Sequence, residues 1–181
     1  MPKTRTGAVA LVESLIAHGV DRIFCVPGES YLAVLDALYD VRDQVALVVC
    51  RHEAGAANMA EAYGKLTGRP GVCFVTRGPG ATHASIGVHT ARQDSTPMIL
   101  FIGQVARGDR AREAFQEIDY RAFFGPIAKW ADEIDQVDRV GEFIARGFAT
   151  ATQGRMGPVV LALPEDMLTE TAPAAQAPVK G

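Results

Sequence analysis

Four short segments of this sequence group acidic, amide and glycine residues: Pro27-Gly28-Glu29-Ser30, Arg51-His52-Glu53, Arg77-Gly78-Pro79-Gly80 and Gly103-Gln104. Each follows a short apolar run. Together they offer two carboxylates, a side-chain amide and glycines whose missing side chains let a ligand approach the backbone. The plain alternatives are a first-turn helix glutamate favoured by the helix dipole at Glu53 and a solvated helix-start carboxylate at Glu29. The run Gly78 to Ala84 invites comparison with a Rossmann phosphate loop, because it follows a strand and opens a helix. Pro79 counts against that reading, since it removes a backbone donor that a diphosphate would use. So does the end of the next strand at Gly103-Gln104, where no acidic residue stands to hold a ribose. His52 and His89 have no metal-like partners in the sequence, His18 reads as a helix C-terminal residue, and no transition-metal site is indicated.

What must position these segments is an alternation of helix and strand. Val9, Leu11, Val12, Leu15 and Ile16 recur at helical spacing and stop at His18-Gly19. Arg22 to Val26 reads as a buried strand ended by Pro27-Gly28. A helix carrying Tyr31, Val34, Leu35 and Leu38 follows, then a strand over Val45 to Cys50 and an alanine-rich helix from Glu53 to about Leu66. Val72 to Thr76 and Pro97 to Ile102 are strands flanking a helix from about Ala81 to Arg92. Beyond an irregular stretch, Gly103 to Gly125, come a short strand near Ile127 to Trp130, a helix over Val137 to Ala151 and a strand over Pro158 to Leu163. Short apolar strands separated by helices imply parallel pairing: an α/β fold with an open, doubly wound, mainly parallel sheet of about six strands and helices on both faces. In such a sheet ligands bind beyond the carboxyl ends of the strands, which puts all four segments along one edge.

The 181 residues fit one domain with a proper core, and 48% apolar with 22% charged residues is an ordinary soluble balance. A net charge of −3 without a basic run gives no footprint for nucleic acid or an anionic membrane. The longest clean apolar run, Met98 to Ile102, is too short to span a bilayer. Cys25, Cys50 and Cys73 each sit in an apolar run with no Cys-x-x-Cys pair, which reads as reduced core thiols in a cytosolic (cytoplasmic) protein. After Leu168 the composition turns to Ala and Pro, so residues 1–168 read as the domain and residues 169–181 as a linker-like tail.

The segment Arg51-His52-Glu53-Ala54-Gly55-Ala56-Ala57-Asn58-Met59-Ala60-Glu61-Ala62-Tyr63-Gly64 resembles the activating-glutamate segment of thiamine diphosphate enzymes. It is followed in register by Thr67-Gly68-Arg69-Pro70-Gly71-Val72, Thr76-Arg77-Gly78-Pro79-Gly80-Ala81-Thr82, Asp94-Ser95-Thr96-Pro97 and Ile102-Gly103-Gln104-Val105. Ala114-Phe115-Gln116-Glu117 is similar to an element of acetolactate synthases. The resemblance implies the N-terminal, pyrimidine-binding domain of such an enzyme. Its glutamate bonds the pyrimidine ring nitrogen N1′ and favours an imino tautomer, whose exocyclic nitrogen can take the thiazolium C2 proton; Glu53 matches that position. A carboxylate suits the task because a charge-assisted bond to a protonated ring nitrogen is about twice as strong as a neutral one. By the same resemblance Pro27, Gly28 and Glu29 lie near the cofactor of a partner subunit, although many acetolactate synthases carry a neutral residue where Glu29 stands. Thr76, Gly78 and Pro79 pack on the pyrimidine, and Gln104 faces cofactor and substrate. His83 stands where an asparagine is common. Phe115, Gln116 and Lys129 fall in the substrate-side region; Phe115 serves equally as core and Lys129 as a solvated charge. The small residues Ala54, Ala57 and Gly64 allow a close helix neighbour, which fits a homodimer meeting along the Glu53 helix.

The family binds the cofactor diphosphate and Mg2+ through a separate domain carrying Gly-Asp-Gly, a tripeptide that does not occur here. Nor is there room for the middle domain that binds FAD in acetolactate synthases. The expectation is therefore that the isolated domain is inactive. One explanation is a piece of a three-domain carboligase or decarboxylase. Another is a stand-alone subunit paired with a diphosphate-binding chain, as in sulfopyruvate decarboxylase-like enzymes. A third is a non-catalytic binding relic. The Phe115-Gln116 element points to pyruvate and acetolactate, with 2-keto acid decarboxylation as the other reading.

Overall fold

The computed structural model describes residues 4–173. Its elements in chain order are β1 (Thr4–Thr6), α1 (Gly7–Ala17), β2 (Arg22–Cys25), α2 (Leu32–Asp40), β3 (Ala46–Val49), α3 (Glu53–Thr67), β4 (Gly71–Thr76), α4 (Arg77–Asp94) and β5 (Met98–Gln104). There follow α5 (Tyr120–Phe124), β6 (Trp130–Glu133), α6 (Val140–Thr152), β7 (Pro158–Pro164), α7 (Glu165–Thr169) and β8 (Thr171–Pro173). Three single 3-10 turns, Glu29–Tyr31, Arg107–Asp109 and Val137–Arg139, join them. Strands β2 to β7 form one sheet in the order β3-β2-β4-β5-β7-β6, parallel at every pairing. The expected doubly wound α/β architecture is what the chain adopts.

Alternation along the strands sorts the apolar residues onto two faces. Ile23, Phe74, Phe101 and Leu161 meet Leu11 and Leu15 of α1, Val34 and Leu38 of α2, and Ile144 of α6. Cys73, Val75, Leu100, Ile102 and Val160 meet α3, α4 and α5 instead. The second face is lined by Ala56, Ala57, Ala60, Ala81 and Ala84, so α3 and α4 lie close to the sheet and to each other. A Cβ on Gly87 of α4 would come within 2.6 Å of Ala57 Cβ on α3, which shows how close that approach is. Each buried Phe, Leu or Ile of the two faces contributes roughly 1.5–3 kcal/mol.

The helix ends follow from local chemistry. Thr6 caps α1 by accepting a hydrogen bond from the Val9 N–H at 3.3 Å. Gly68 closes α3 in the left-handed region (φ 69). Helix α4 begins four residues before the expected Ala81, taking in the whole glycine-proline segment. The first helical N–H groups have no intrahelical acceptor, so Pro79 costs nothing in that turn.

Two other expectations are corrected. The sixth strand runs over Trp130–Glu133 rather than Ile127 to Trp130, because the Ile127 and Ala128 N–H groups still bond Phe124 O in a turn after α5. Its polar end, Asp132-Glu133, hid it from an apolar pattern. At the start of the Ala/Pro-rich segment, Thr171–Pro173 is not featureless: it pairs antiparallel with Thr4–Thr6. Residues 174–181 of that segment lie outside the described residues. Cys25 and Cys73 are buried, while Cys50 beside edge strand β3 is half-buried; all three are free thiols. Among the described residues no helix is long and apolar enough to cross a membrane.

Candidate functional site

The parallel register aligns Cys25 with Val49 and Phe74, and Thr76 with Gly103. The segments after β2, β3, β4 and β5 therefore emerge on one edge. Between β2 and β4 the strand order reverses, the place where open α/β sheets form a ligand crevice. The segments interlock there. A Cβ on Gly28 would sit 2.4 Å from Thr76 Cβ, and one on Gly103 would sit 1.9 Å from Ser30 Oγ. Ser30 Oγ and Thr76 Oγ1 are hydrogen-bonded at 2.6 Å. Below them Tyr31 is buried, and that burial raises its hydroxyl pKa far enough to keep it a neutral donor, here to Val26 O.

Glu53 opens α3, its helix capped by His52 Nδ1, which accepts from the Ala54 N–H at 3.1 Å. The Glu53 side chain is only 15% exposed, and its Oε2 lies 3.0 Å from His83 Nδ1 on α4. Its other oxygen faces Gly80, where a Cβ would stand 3.6 Å from Oε1. A Cβ at position 80 would come into van der Waals contact with that oxygen, a contact that glycine does not make. Gly78 is held from outside the helix: its N–H donates to Gln116 O at 2.8 Å, and a Cβ there would meet the same oxygen at 2.7 Å.

Arg77 ties the edge together. It is buried, adopts φ 32, and bonds Glu29 Oε1 and Glu165 Oε2, each at 2.9 Å. It thereby joins the loop after β2 to the start of α7, while its Nε has no hydrogen-bond partner. Glu29, its side chain 68% exposed, is thus paired with a fixed cation that it shares with Glu165 while still reaching solvent.

Gln104 is 3% exposed, so it is not a surface amide. Its Oε1 accepts from the Val105 N–H and its Nε2 reaches Ile118 O at 3.4 Å and Glu133 Oε2 at 3.5 Å. It forms one wall of a cavity of about 520 Å3 that Arg110, Glu117, Tyr120, Arg121 and Glu133 also line. Burial raises the Glu133 carboxyl pKa, and Arg110 and Gln104 oppose the shift.

Phe115 is 71% exposed, which removes the core reading for it. Gln116 stands at φ 63 and touches the site through its backbone carbonyl. Lys129 is not brought to this edge. It precedes β6, and its N–H donates to Pro158 O at the amino end of β7, opposite the site. Its ammonium donates to Thr150 O and, at 2.8 Å, to Gln153 O, capping α6 instead of facing solvent. Burial lowers the Lys129 pKa, with Arg92 adding to the effect.

Three contacts were beyond sequence reasoning: His83 to Glu53, Ser30 to Thr76, and Arg77 to its two carboxylates. Each joins segments distant along the chain, so no spacing announces it. The fold also gives His52 the neighbours that the sequence did not: ligand atoms of His52, Glu53 and His83 lie within 4.8 Å of one another. The two imidazoles are tilted against each other, with centroids 4.6 Å apart and planes 33° from parallel. His52 already spends Nδ1 on its cap, and His83 Nδ1 is engaged with Glu53 Oε2. Hydrogen bonding accounts for the trio better than coordination.

A half-buried carboxylate beside glycines at a strand-order reversal suits a flat heterocycle bearing a protonatable nitrogen. The residues present therefore fit an aminopyrimidine. Residues 5–123 match the family described as thiamine pyrophosphate enzyme, N-terminal TPP binding domain. Over 168 residues the chain is 40% identical to the acetolactate synthase large subunit of Parasynechococcus marenigrum (strain WH8102), covering 92% of this chain and 27% of that protein. It is 38% identical over 164 residues to acetolactate synthase of Bacillus subtilis (strain 168), covering 91% and 28%. With the catabolic acetolactate synthase of Raoultella terrigena it shares 37% identity over 180 residues, covering 97% and 32%. The chain spans less than a third of the length of these curated relatives.

Proposed function

The chain belongs to the N-terminal TPP-binding domain family of thiamine pyrophosphate enzymes, and from that premise we propose that it supplies the pyrimidine side of the cofactor site in a 2-keto acid carboligase of the acetolactate synthase type. The observation that carries this reading is Glu53: a carboxylate 15% exposed at the carboxyl edge of the sheet, with Oε2 beside His83 and Oε1 beside Gly80. Thiamine diphosphate, when bound, supplies the nucleophilic carbon and the electron sink for 2-keto acid chemistry. Glu53 accepts a charge-assisted bond from the protonated ring nitrogen and holds that proton in place. In a site shielded from water this bond offsets the cost of burying both charges. Thr76, Gly78 and Pro79 give a flat surface for the ring to pack on. Pro27, Gly28 and Glu29 lie toward the cofactor of a partner subunit, with Arg77 fixing the carboxylate. Gln104 closes the floor between cofactor and substrate, and the exposed Phe115 with Gln116 faces the 2-keto acid, pyruvate first among candidates.

Residues 1–168 act as this domain, and Thr171–Pro173 adds a short strand beside β1. The diphosphate, Mg2+ and, in an acetolactate synthase, FAD are held by domains outside this sequence, in the same or another chain. Two such domains meet through the α3 surface as a homodimer. Alone, the 181 residues neither hold the cofactor tightly nor turn over. The test uses the full natural protein with thiamine diphosphate, Mg2+ and pyruvate. Glu53→Gln is expected to lose at least about a hundredfold in rate while still binding cofactor. Retained turnover in the variant, or no acetolactate from the wild type, would refute the assignment.

A further inference from the structure

We propose that His83 is a positioning residue for Glu53: its imidazole fixes carboxylate oxygen Oε2 and thereby turns Oε1 toward the gap at Gly80. This deepens, and rests on, the reading of Glu53 given above. The terminal torsion of a glutamate is soft, so a carboxylate held at neither oxygen presents either one. Here His83 Nδ1 lies 3.0 Å from Oε2. An ionised carboxylate only accepts, so Nδ1 carries the proton of that bond. His83 is in turn held from the side: its ring lies tilted against that of His52, centroids 4.6 Å apart, and His52's own Nδ1 is committed to the Ala54 N–H. The close contact of Gly87 with Ala57 sets the separation of the two helices that carry the pair.

Charge gives the arrangement a second consequence. Neutral His83 leaves the negative charge of Glu53 available to a protonated ring nitrogen. Cationic His83 competes for that charge and repels the second cation. The titratable groups facing His83 are Glu53 and His52, both from α3. A charged His52 would add to the repulsion, so it does not reverse the sign. An asparagine at this position would donate to Oε2 without ever becoming charged.

Two measurements on the full natural protein test this. In the cofactor-free protein, 1H–15N NMR of labelled histidine is expected to report the Nδ1–H tautomer for neutral His83, and Glu53→Ala is expected to release it to Nε2–H. In the loaded enzyme, His83→Ala is expected to lose about tenfold in rate at the alkaline end, and His83→Asn to recover most of it. A wild-type Nε2–H tautomer, or a His83→Asn variant no more active than His83→Ala, overturns the proposal. Unimpaired turnover in Glu53→Gln overturns instead the reading on which it rests, and the tautomer result does not depend on that outcome.

Discussion

The two oxygens of Glu53 have different surroundings: Oε2 is bonded to an imidazole and Oε1 lies beside Gly80. Residues elsewhere in the fold show the same contrast between a committed and an uncommitted group. Arg77 is committed twice through its terminal nitrogens and not at all through Nε. Glu133 is the sharper case. Burial raises its carboxyl pKa, and the ion pair with Arg110 and the bond from Gln104 offset only part of the shift. A carboxyl whose folded pKa is raised contributes stability below its unfolded value and loses it as pH rises through the folded one. Glu133→Gln, which keeps the shape and an acceptor, should therefore melt higher than wild type near neutral pH, and the gain should shrink as the pH falls. Thermal unfolding at the two conditions decides it. A variant that melts lower near neutral pH would mean that the Arg110 pair outweighs burial.

Among the elements, the α3–α4 pair has least freedom. Where the two helices come closest, the contact is built from alanine and glycine, which have no long side chains that could adjust to a displacement. Gly64 is pressed against Pro97 O, which a Cβ would approach to 2.2 Å, and Gly71 against Ala60 O, which a Cβ would approach to 1.8 Å. The same packing sets Glu53 against His83 and Gly80. Gly87→Val would drive two methyl groups into Ala57 and is expected to cost about 1–3 kcal/mol in urea unfolding. Because it separates the helices that carry the site, it should weaken cofactor binding by the full protein more than an equally destabilising change on the α1–α6 face. Equal losses at both faces would show that the packing supports stability alone.

At the scale of the molecule, the helices bearing Glu53 and His83 also carry exposed apolar residues, Met59 and Leu66 on α3 and Ile86 on α4. On the proposed reading a second subunit covers them. Met59→Glu combined with Ile86→Glu should shift the full protein to a smaller species in sedimentation and lower its cofactor affinity in parallel. A species of unchanged mass would move the subunit contact elsewhere. The pairing of β1 with β8, supported by the Gly7 N–H bonded to Glu170 O at 3.0 Å, brings the described chain's two ends together on the α1 side of the fold.

The sequence by itself determined the layer order and the edge on which chemistry sits. Apolar runs of strand length between amphipathic helices admit one arrangement, a parallel sheet covered on both faces, and its carboxyl edge then collects the segments after β2, β3, β4 and β5. The order of motifs from Arg51 to Gln116 also determined the family, because several short matches in register are far more specific than any one. Tertiary structure decided what those segments do to one another. Lys129 lies near Phe115 in the chain but caps α6 at the far edge, since a strand crossing the sheet carries its two ends to opposite sides. Strand β6 ends in Asp132 and Glu133, which no apolar pattern selects, and their place in the sheet depends on Arg121 and Arg110. His83 meets Glu53 only because α3 and α4 pack closely side by side. Hydrophobic periodicity reports which face of an element is buried; it carries no information on which residue of a neighbouring element it will meet.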